Sequence, residues 1–415
     1  MKIFIVATPI FDANMVVEAY DLKYQRCDLP LGSARMTAEL DGATFSPGLE
    51  FLNSVGTDAF TNNKKIFVPV DQYLLLANFA DLSSIPPELL VCVINKDFPL
   101  EPRFLLRCMK MKQRGYFFAL NNVQYTLKTA VLFELADYII LNTDSKDFGD
   151  NLLEVRTKKP SAVAICTNIE SKDFFNKIKG IPNALFEGRF YSRPLSKGVK
   201  KISPLKSNAL QLLKAVGSEE EPDFEVSDIA KYIQRDAALS IALLRFINSP
   251  AIGLRQKVNS ISHAIAMLGL KQTRKWVMAA ISAYLAFDEP NELTRLILVR
   301  AKFAENLAST FHMENQSGDL FLMGVLSLLD VVMEAPISVA LREVSAKQVI
   351  FDALASHEGP FYHVLELIFA YEHADWERVS QIMILNALTA EGIQGAFLNA
   401  MLWYKQLLLD NEEEA

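Results

Sequence analysis

The chain has 415 residues, of which 51% are hydrophobic and 22% charged, with a net charge of −7. That length suits two or three domains of ~100–200 residues each, and that composition excludes an intrinsically disordered chain. Residues 1–195 balance their charges, so the acidic excess lies beyond them, which argues against a broad nucleic-acid surface but allows a local basic stripe.

The opening, MKIFIVATPIFDANM, lacks the length and cleavage site of a secretory signal and reads as a first strand. No apolar run reaches the ~18–20 residues of a membrane span, so a cytoplasmic protein is expected. Strand candidates follow at 2–7, 16–22, 65–70, 89–94, 116–120, 138–142, 162–167 and 185–190. Most are continuous apolar runs, as strands buried on both faces are. Helical stretches lie between them, such as PRFLLRCMKMKQRG, which stops on Gly115. Alternating strands and helices imply a parallel sheet, and about eight strands imply a β/α barrel. The first two are close enough for an antiparallel hairpin. About 190 residues is short beside the ~250 typical of a full barrel, so an incomplete barrel stays open as an alternative.

After Pro194 the period changes. SKGVKKISPLK (196–206) carries four lysines and no acid, and reads as a linker over 196–205. From 206 to 409 the apolar spacing is helical, which predicts an all-α domain. In VSDIAKYIQRDAALSIALLRFINS, Ser227 and Asp228 are start signals and Pro250 follows the end. SISHAIAMLGL starts on serines and stops at Gly269. Residues 410–415 form an acidic tail, expected to fray. The four cysteines are scattered and contain no CxxC pair, so neither a zinc site nor a disulfide framework is indicated. Cys92 and Cys166 sit in apolar runs and read as reduced core residues.

Several residues suggest chemistry. His263 lies on the apolar face of a short helix and reads as structural. His357, Glu358 and His363 resemble a metal set, but Gly359 and Pro360 interrupt the helix face they would need. Arg235–Asp236 reads as a local ion pair, and NSPAIG (248–253) as a tight turn. Residues 263–277 superficially resemble a helix-turn-helix with Lys271, Arg274 and Lys275 on its second helix and Arg255 and Lys257 nearby. Because the domain is acidic, a solvated basic face or one that docks an acidic protein fits these five residues better than DNA. No Ser-His-Asp set, phosphate-cradling glycine loop or zincin motif occurs.

Three segments make the first half resemble EAL domains, the barrel phosphodiesterases of cyclic di-GMP: PIFDANMVVEAYDLKY (9–24), KMKQRGYFFALNN (110–122) and LFEGRFYSRPL (185–195). The resemblance implies two divalent metals held by carboxylates and an Asn, which activate water against a phosphodiester. It places Asp21 at the signature Glu, Pro69 at the metal-binding Asn and Val93 at the Glu of the fourth strand, with Lys96 at the companion acid. Asn121 and Asn122 take the paired aspartates, Ile140 the catalytic Lys and Asn142 the Asp after it. Thr167 takes the Glu near the water, and Glu187 the closing Gln. Neutral amides and aliphatic side chains cannot offset two dications. Glu170 and Glu187 are the acids left to rescue weak binding of one ion, and Arg189 and Arg193 the cations that can meet phosphate.

The second half resembles HDOD domains, helical relatives of HD phosphohydrolases, through residues 232–277 and FLMGVLSLLD (321–330). Ser327 and Leu328 stand where an HD enzyme carries its metal-binding dyad. Residues 353–379 resemble the closing part of fused EAL–HDOD proteins. The two resemblances together imply a non-catalytic bacterial signalling adaptor, without metal or cofactor, whose partners are other signalling proteins. A cyclic di-GMP receptor, a residual phosphodiesterase, a DNA-binding regulator and a homo-oligomer remain as alternatives.

Overall fold

In a computed structural model, residues 3–26, 63–70, 85–193 and 291–412 are described, together with isolated positions between these stretches. The chain divides into two compact units, Met1–Tyr191 and Ser192–Ala415. The linker expected at 196–205 lies outside the described residues.

The first unit is a closed barrel of eight strands in sequence order. They are β1 (Ile3–Phe11), β2 (Val17–Arg26), β3 (Lys65–Pro69), β4 (Leu90–Asn95), β5 (Phe117–Asn121), β6 (Tyr138–Asn142), β7 (Val163–Ile169) and β8 (Ala184–Gly188). All eight expected strands form, and the incomplete barrel is ruled out. Short strands explain how so few residues close the ring: β3, β5, β6 and β8 are five residues each. β1 and β2 form the expected antiparallel hairpin; Asp12 holds its turn by accepting from the Asn14 and Val16 amides at 2.8 Å each. β2 to β8 are parallel, and β8 returns antiparallel to β1.

Helices α1 (Pro102–Gln113), α2 (Ala130–Leu135), α3 (Phe148–Lys158) and α4 (Lys172–Ile178) are described in the crossovers. Pro102 sits in the first turn of α1, where its missing N–H costs nothing. Arg114 and Gly115 follow the last turn, and Gly115 takes φ 95° as a helix stop should. Ser171 caps α4 by accepting from the Phe174 amide at 3.2 Å. Cys92 and Cys166 are buried free thiols, as expected.

One glycine sits in the tight β7–β8 seam. The β7–β8 register shifts between Cys166 and Ile169, which brings the Ile169 backbone against Gly188. A Cβ at Gly188 would lie 2.1 Å from the Ile169 carbonyl oxygen, so no side chain fits there.

The second unit is helical throughout its described residues: α5 (Asn291–Thr310), α6 (Ser317–Leu326), α7 (Leu329–Met333), α8 (Ile337–Glu343), α9 (Gln348–Phe351), α10 (Pro360–Glu372), α11 (Trp376–Leu385) and α12 (Ala390–Glu412). α12 runs on through Asp410–Glu412, into the stretch expected to fray. Glu314–Met333 has a mean hydropathy of 1.4 and is long enough to cross a membrane, but 67% of it is buried and it breaks between α6 and α7. It is a core segment. α5 and α6 meet backbone to backbone, since a Cβ at Gly324 would lie 2.5 Å from the Ala301 Cα.

Gly188→Ala is expected to cost about 1–3 kcal/mol by overpacking the β7–β8 seam. Gly149→Ala, in the first turn of α3 with nothing within 4 Å of the new Cβ, is expected to be neutral or stabilising. Urea unfolding of the two variants reads the contrast; equal midpoints would show that the seam tolerates a side chain.

Candidate functional site

The barrel interior is set by the pleat. Ile10, Ala19, Phe67, Val91, Val93, Ala119, Tyr138 and Ile165 form one buried cluster, with Ile140 packed against it. Side chains alternate along each strand and match across paired strands. Counting on in twos from Ala19, Phe67, Ala119, Ile140 and Ile165 puts Asp21, Pro69, Asn121, Asn142 and Thr167 on the same inner face, toward the C-terminal ends of the parallel strands. Pairing supports this register: Asp21 lies beside Phe67, Pro69 beside Val93, Asn121 beside Asn95, and Asn142 beside Thr167. Glu187 joins them opposite Ile10. The positions read from the sequence therefore share one end of the barrel. Asn122 is the exception: it follows β5 in a left-handed conformation at φ 55°.

The mouth carries a charge cluster that sequence reading missed. Lys23 lies two residues beyond Asp21 on β2 and so faces the same way. Its Nζ donates to Glu187 Oε1 at 2.8 Å and lies 3.7 Å from Asp21 Oδ2. Glu187 is 6% exposed. Burial pushes the Asp21 carboxyl up to about 7, Glu187 adds to the rise, and Lys23 opposes both. Burial draws the Lys23 ammonium down, but Glu187 and Asp21 outweigh it and leave it above the usual lysine value. The spacing Asp-x-Lys on a strand was the available signal for this pair.

The amides around this cluster bond to each other. Asn121 Nδ2 donates to Asn95 Oδ1 at 2.9 Å, and Asn168 Nδ2 donates to Asn142 Oδ1 at 3.0 Å. The Asp144 amide also donates to Asn142 Oδ1, at 2.9 Å. Arg189 Nε lies 3.8 Å from Glu170. Hard divalent cations need several converging, mostly anionic oxygens. Val93, Ile140 and Pro69 offer none, the Asn95 and Asn142 amide oxygens are engaged, and Glu187 already holds an ammonium. No group of three or more His, Cys, Asp or Glu suited to a metal occurs among the described residues, so His357, Glu358 and His363 do not form one. His357 instead ends a π-helical turn at φ 59°, and α10 starts at Pro360. The residues present at the mouth do not fit a pair of divalent ions.

In the helical unit, Ser327 lies at the C-terminal end of α6 and Leu328, 4% exposed, leads into α7. The close α5–α6 contact at Gly324 brings Ser327 Oγ within 2.8 Å of Arg300 Nη1, which donates to it. Arg300 also forms a bidentate pair with Glu372, at 2.8 and 2.7 Å, and its guanidinium lies 5.0 Å from the Phe369 ring. Arg300 is 5% exposed. A buried cation thus touches the position where the resemblance puts the lost metal dyad. Burial also raises the Asp330 carboxyl, against its backbone hydrogen bond from Val331 and the nearby Arg300.

Of the five basic residues expected on an interaction face, Arg255, Lys257, Lys271 and Arg274 lie outside the described residues. Lys275 contradicts the expectation. It is 7% exposed, ion-paired to Glu305 and 4.4 Å from the Phe321 ring. Burial lowers its ammonium, with Glu305 opposing. His263 is partly buried, and its backbone amide donates to Ser260 Oγ at 3.1 Å. Asn248, at the start of the NSPAIG turn, bonds both the amide and the carbonyl of Val258, at 2.6 and 2.8 Å. Arg235 and Asp236 lie outside the described residues.

Comparison with known proteins agrees with this division. Residues 202–376 match the family model of the HDOD domain, so the second unit carries an HDOD domain. The uncharacterized protein YuxH of Bacillus subtilis is 28% identical, over 98% of this chain and 99% of its own length. The cyclic di-GMP phosphodiesterase CdgJ of Vibrio cholerae is 23% identical, over 97% of this chain and 93% of its own. Among solved structures, the PaMucR phosphodiesterase in complex with c-di-GMP covers 47% of this chain and 92% of its own, with 13% identity and a TM-score of 0.38. The strand topology and the HDOD match define a closed β/α barrel followed by a helical HDOD region.

Asp21 holds its proton up to about pH 7 when folded but only to ~3.9 when unfolded, so the folded state binds more protons between those values. Stability from this group is present below about pH 4 and is lost as pH rises to 7. Asp21 keeps 21% side-chain exposure, which moderates the effect to on the order of 1–3 kcal/mol. Thermal melts of Asp21→Asn against the parent should diverge in the variant's favour from pH 5 to 8; parallel curves would remove the buried-carboxyl account. In the second unit, Arg300→Met strands Glu372 and is expected to cost about 3–5 kcal/mol. The double variant Arg300→Met/Glu372→Leu should recover much of that loss in a double-mutant cycle by urea unfolding.

Proposed function

We propose that the chain is a non-catalytic signal-transduction protein of cyclic di-GMP-type pathways, acting by holding partner proteins. The observation that carries this reading is the chemistry of the barrel mouth. Val93 and Ile140 belong to the apolar interior, and Lys23 lies between Asp21 and Glu187. Metal-assisted attack on a phosphodiester needs cations clamping the substrate oxygens and a generated hydroxide. Aliphatic groups at two of the positions and an ammonium on the best-placed acid supply neither. The signalling context is supported by the HDOD domain over 202–376 and by likeness, along nearly the whole chain, to a Vibrio cholerae protein named as a cyclic di-GMP phosphodiesterase.

Under this reading, the full chain incubated with cyclic di-GMP and Mg²⁺ or Mn²⁺ yields no linear dinucleotide, and calorimetry at millimolar nucleotide gives flat heats. Affinity capture from the native cell enriches a second protein reproducibly. Metal-dependent hydrolysis would end the non-catalytic reading. Saturable heats without turnover would replace the adaptor by a nucleotide receptor, and capture of nothing but the chain itself would remove the adaptor role.

A further inference from the structure

We infer that Lys23 is the built-in cation of the barrel mouth: its ammonium takes the electrostatic place of a divalent ion between Asp21 and Glu187 and keeps such ions out. Lys23 and Asp21 share the inner face of β2, and Glu187 reaches them from β8 across the barrel seam formed by β1. Nζ is 2.8 Å from Glu187 Oε1 and 3.7 Å from Asp21 Oδ2, distances at which one positive charge serves both carboxylates. The contact joins residues 164 positions apart, so the barrel must close before it exists. Two carboxylates this close repel each other unless a cation sits between them.

The covalent tether decides the competition with free ions. A metal ion must displace an ammonium already held within hydrogen-bond reach, and would leave that ammonium inside a half-buried mouth beside it. Lys23 has no other carboxylate partner among the described residues, and Arg189, the nearest further cation acting on it, disfavours its charge. Removing the ammonium exposes two neighbouring carboxylates with Asn121 on the same inner face, the oxygen chemistry that hard dications take. The inference rests on the same mouth as the non-catalytic reading but can fail separately from it. Tight metal binding without hydrolysis would sink this inference alone.

The test uses the full chain, with thermal melts and calorimetry against Mg²⁺, Mn²⁺ and Ca²⁺ alone. The parent is expected to give no saturable heats and no change in Tm at millimolar metal. Lys23→Met should melt lower than the parent and regain about 2–4 °C of Tm in a concentration-dependent way as metal is added. The double variant Lys23→Met/Glu187→Gln should lose that response, because one carboxylate remains. Lys23→Gln keeps a donor for Glu187 without the charge, and serves if Lys23→Met does not fold. Saturable metal binding by the parent would overturn the inference. So would variants without Lys23 that ignore metal.

Discussion

Two carboxylates facing the inside of a closed barrel cannot both stay charged without a cation in reach, and the mouth of this barrel is organised around that constraint. Asp21 and Glu187 come from opposite ends of the unit, on β2 and β8, and closure brings them together. Water cannot solvate them fully there, which is why burial dominates the rise of the Asp21 carboxyl. Metal enzymes answer the same problem with dications. This chain answers it with Lys23, which is attached to the strand it neutralises. The neighbouring amides follow the same logic, since Asn95 with Asn121, and Asn142 with Asn168, satisfy each other across adjacent strands.

The helical unit meets the same constraint independently. Glu372 is held by Nε and Nη2 along one edge of the Arg300 guanidinium, whose third nitrogen reaches Ser327. A planar fork that fills carboxylate and hydroxyl acceptors together is what arginine offers over lysine. Lys275 with Glu305 repeats the pattern on a smaller scale, with an aromatic face beside the ammonium. In each unit a side-chain cation lies where the resemblances lead one to look for metal. Such pairs do not add much net stability, because desolvation offsets attraction; breaking one partner is what costs.

Much of the fold was legible in the sequence. β-strands buried on both faces leave continuous apolar runs, so all eight barrel strands could be placed to within a few residues, and the short FDANM connection exposed the first hairpin. Closure was not legible, because chain length is a poor measure of a ring built partly from five-residue strands. The positions lining the mouth were legible as positions, since motif spacing carries register. Their partners were not. Lys23 meets Glu187 only through the fold, and Lys275 looked solvent-facing because its counter-charge, Glu305, lies 30 residues on. Periodicity tells which side of a helix a lysine occupies, not which acid waits there.

That difference bears on how substituted ligand positions are interpreted. Substitution of ligands alone is ambiguous: Asp21 is a shorter carboxylate in the signature position, and Glu187 adds an acid where the resemblance has Gln. Read one residue at a time, these two suggest a weakened metal site. Read with the register, they lie on either side of Lys23, whose ammonium is 2.8 Å from Glu187 and 3.7 Å from Asp21. A tethered ammonium between two acids is a physical means of holding such a site's shape without an ion. Of the two acids, Glu187 takes the direct hydrogen bond from the ammonium, and Asp21, the farther one, is the carboxyl that burial pushes up to about 7.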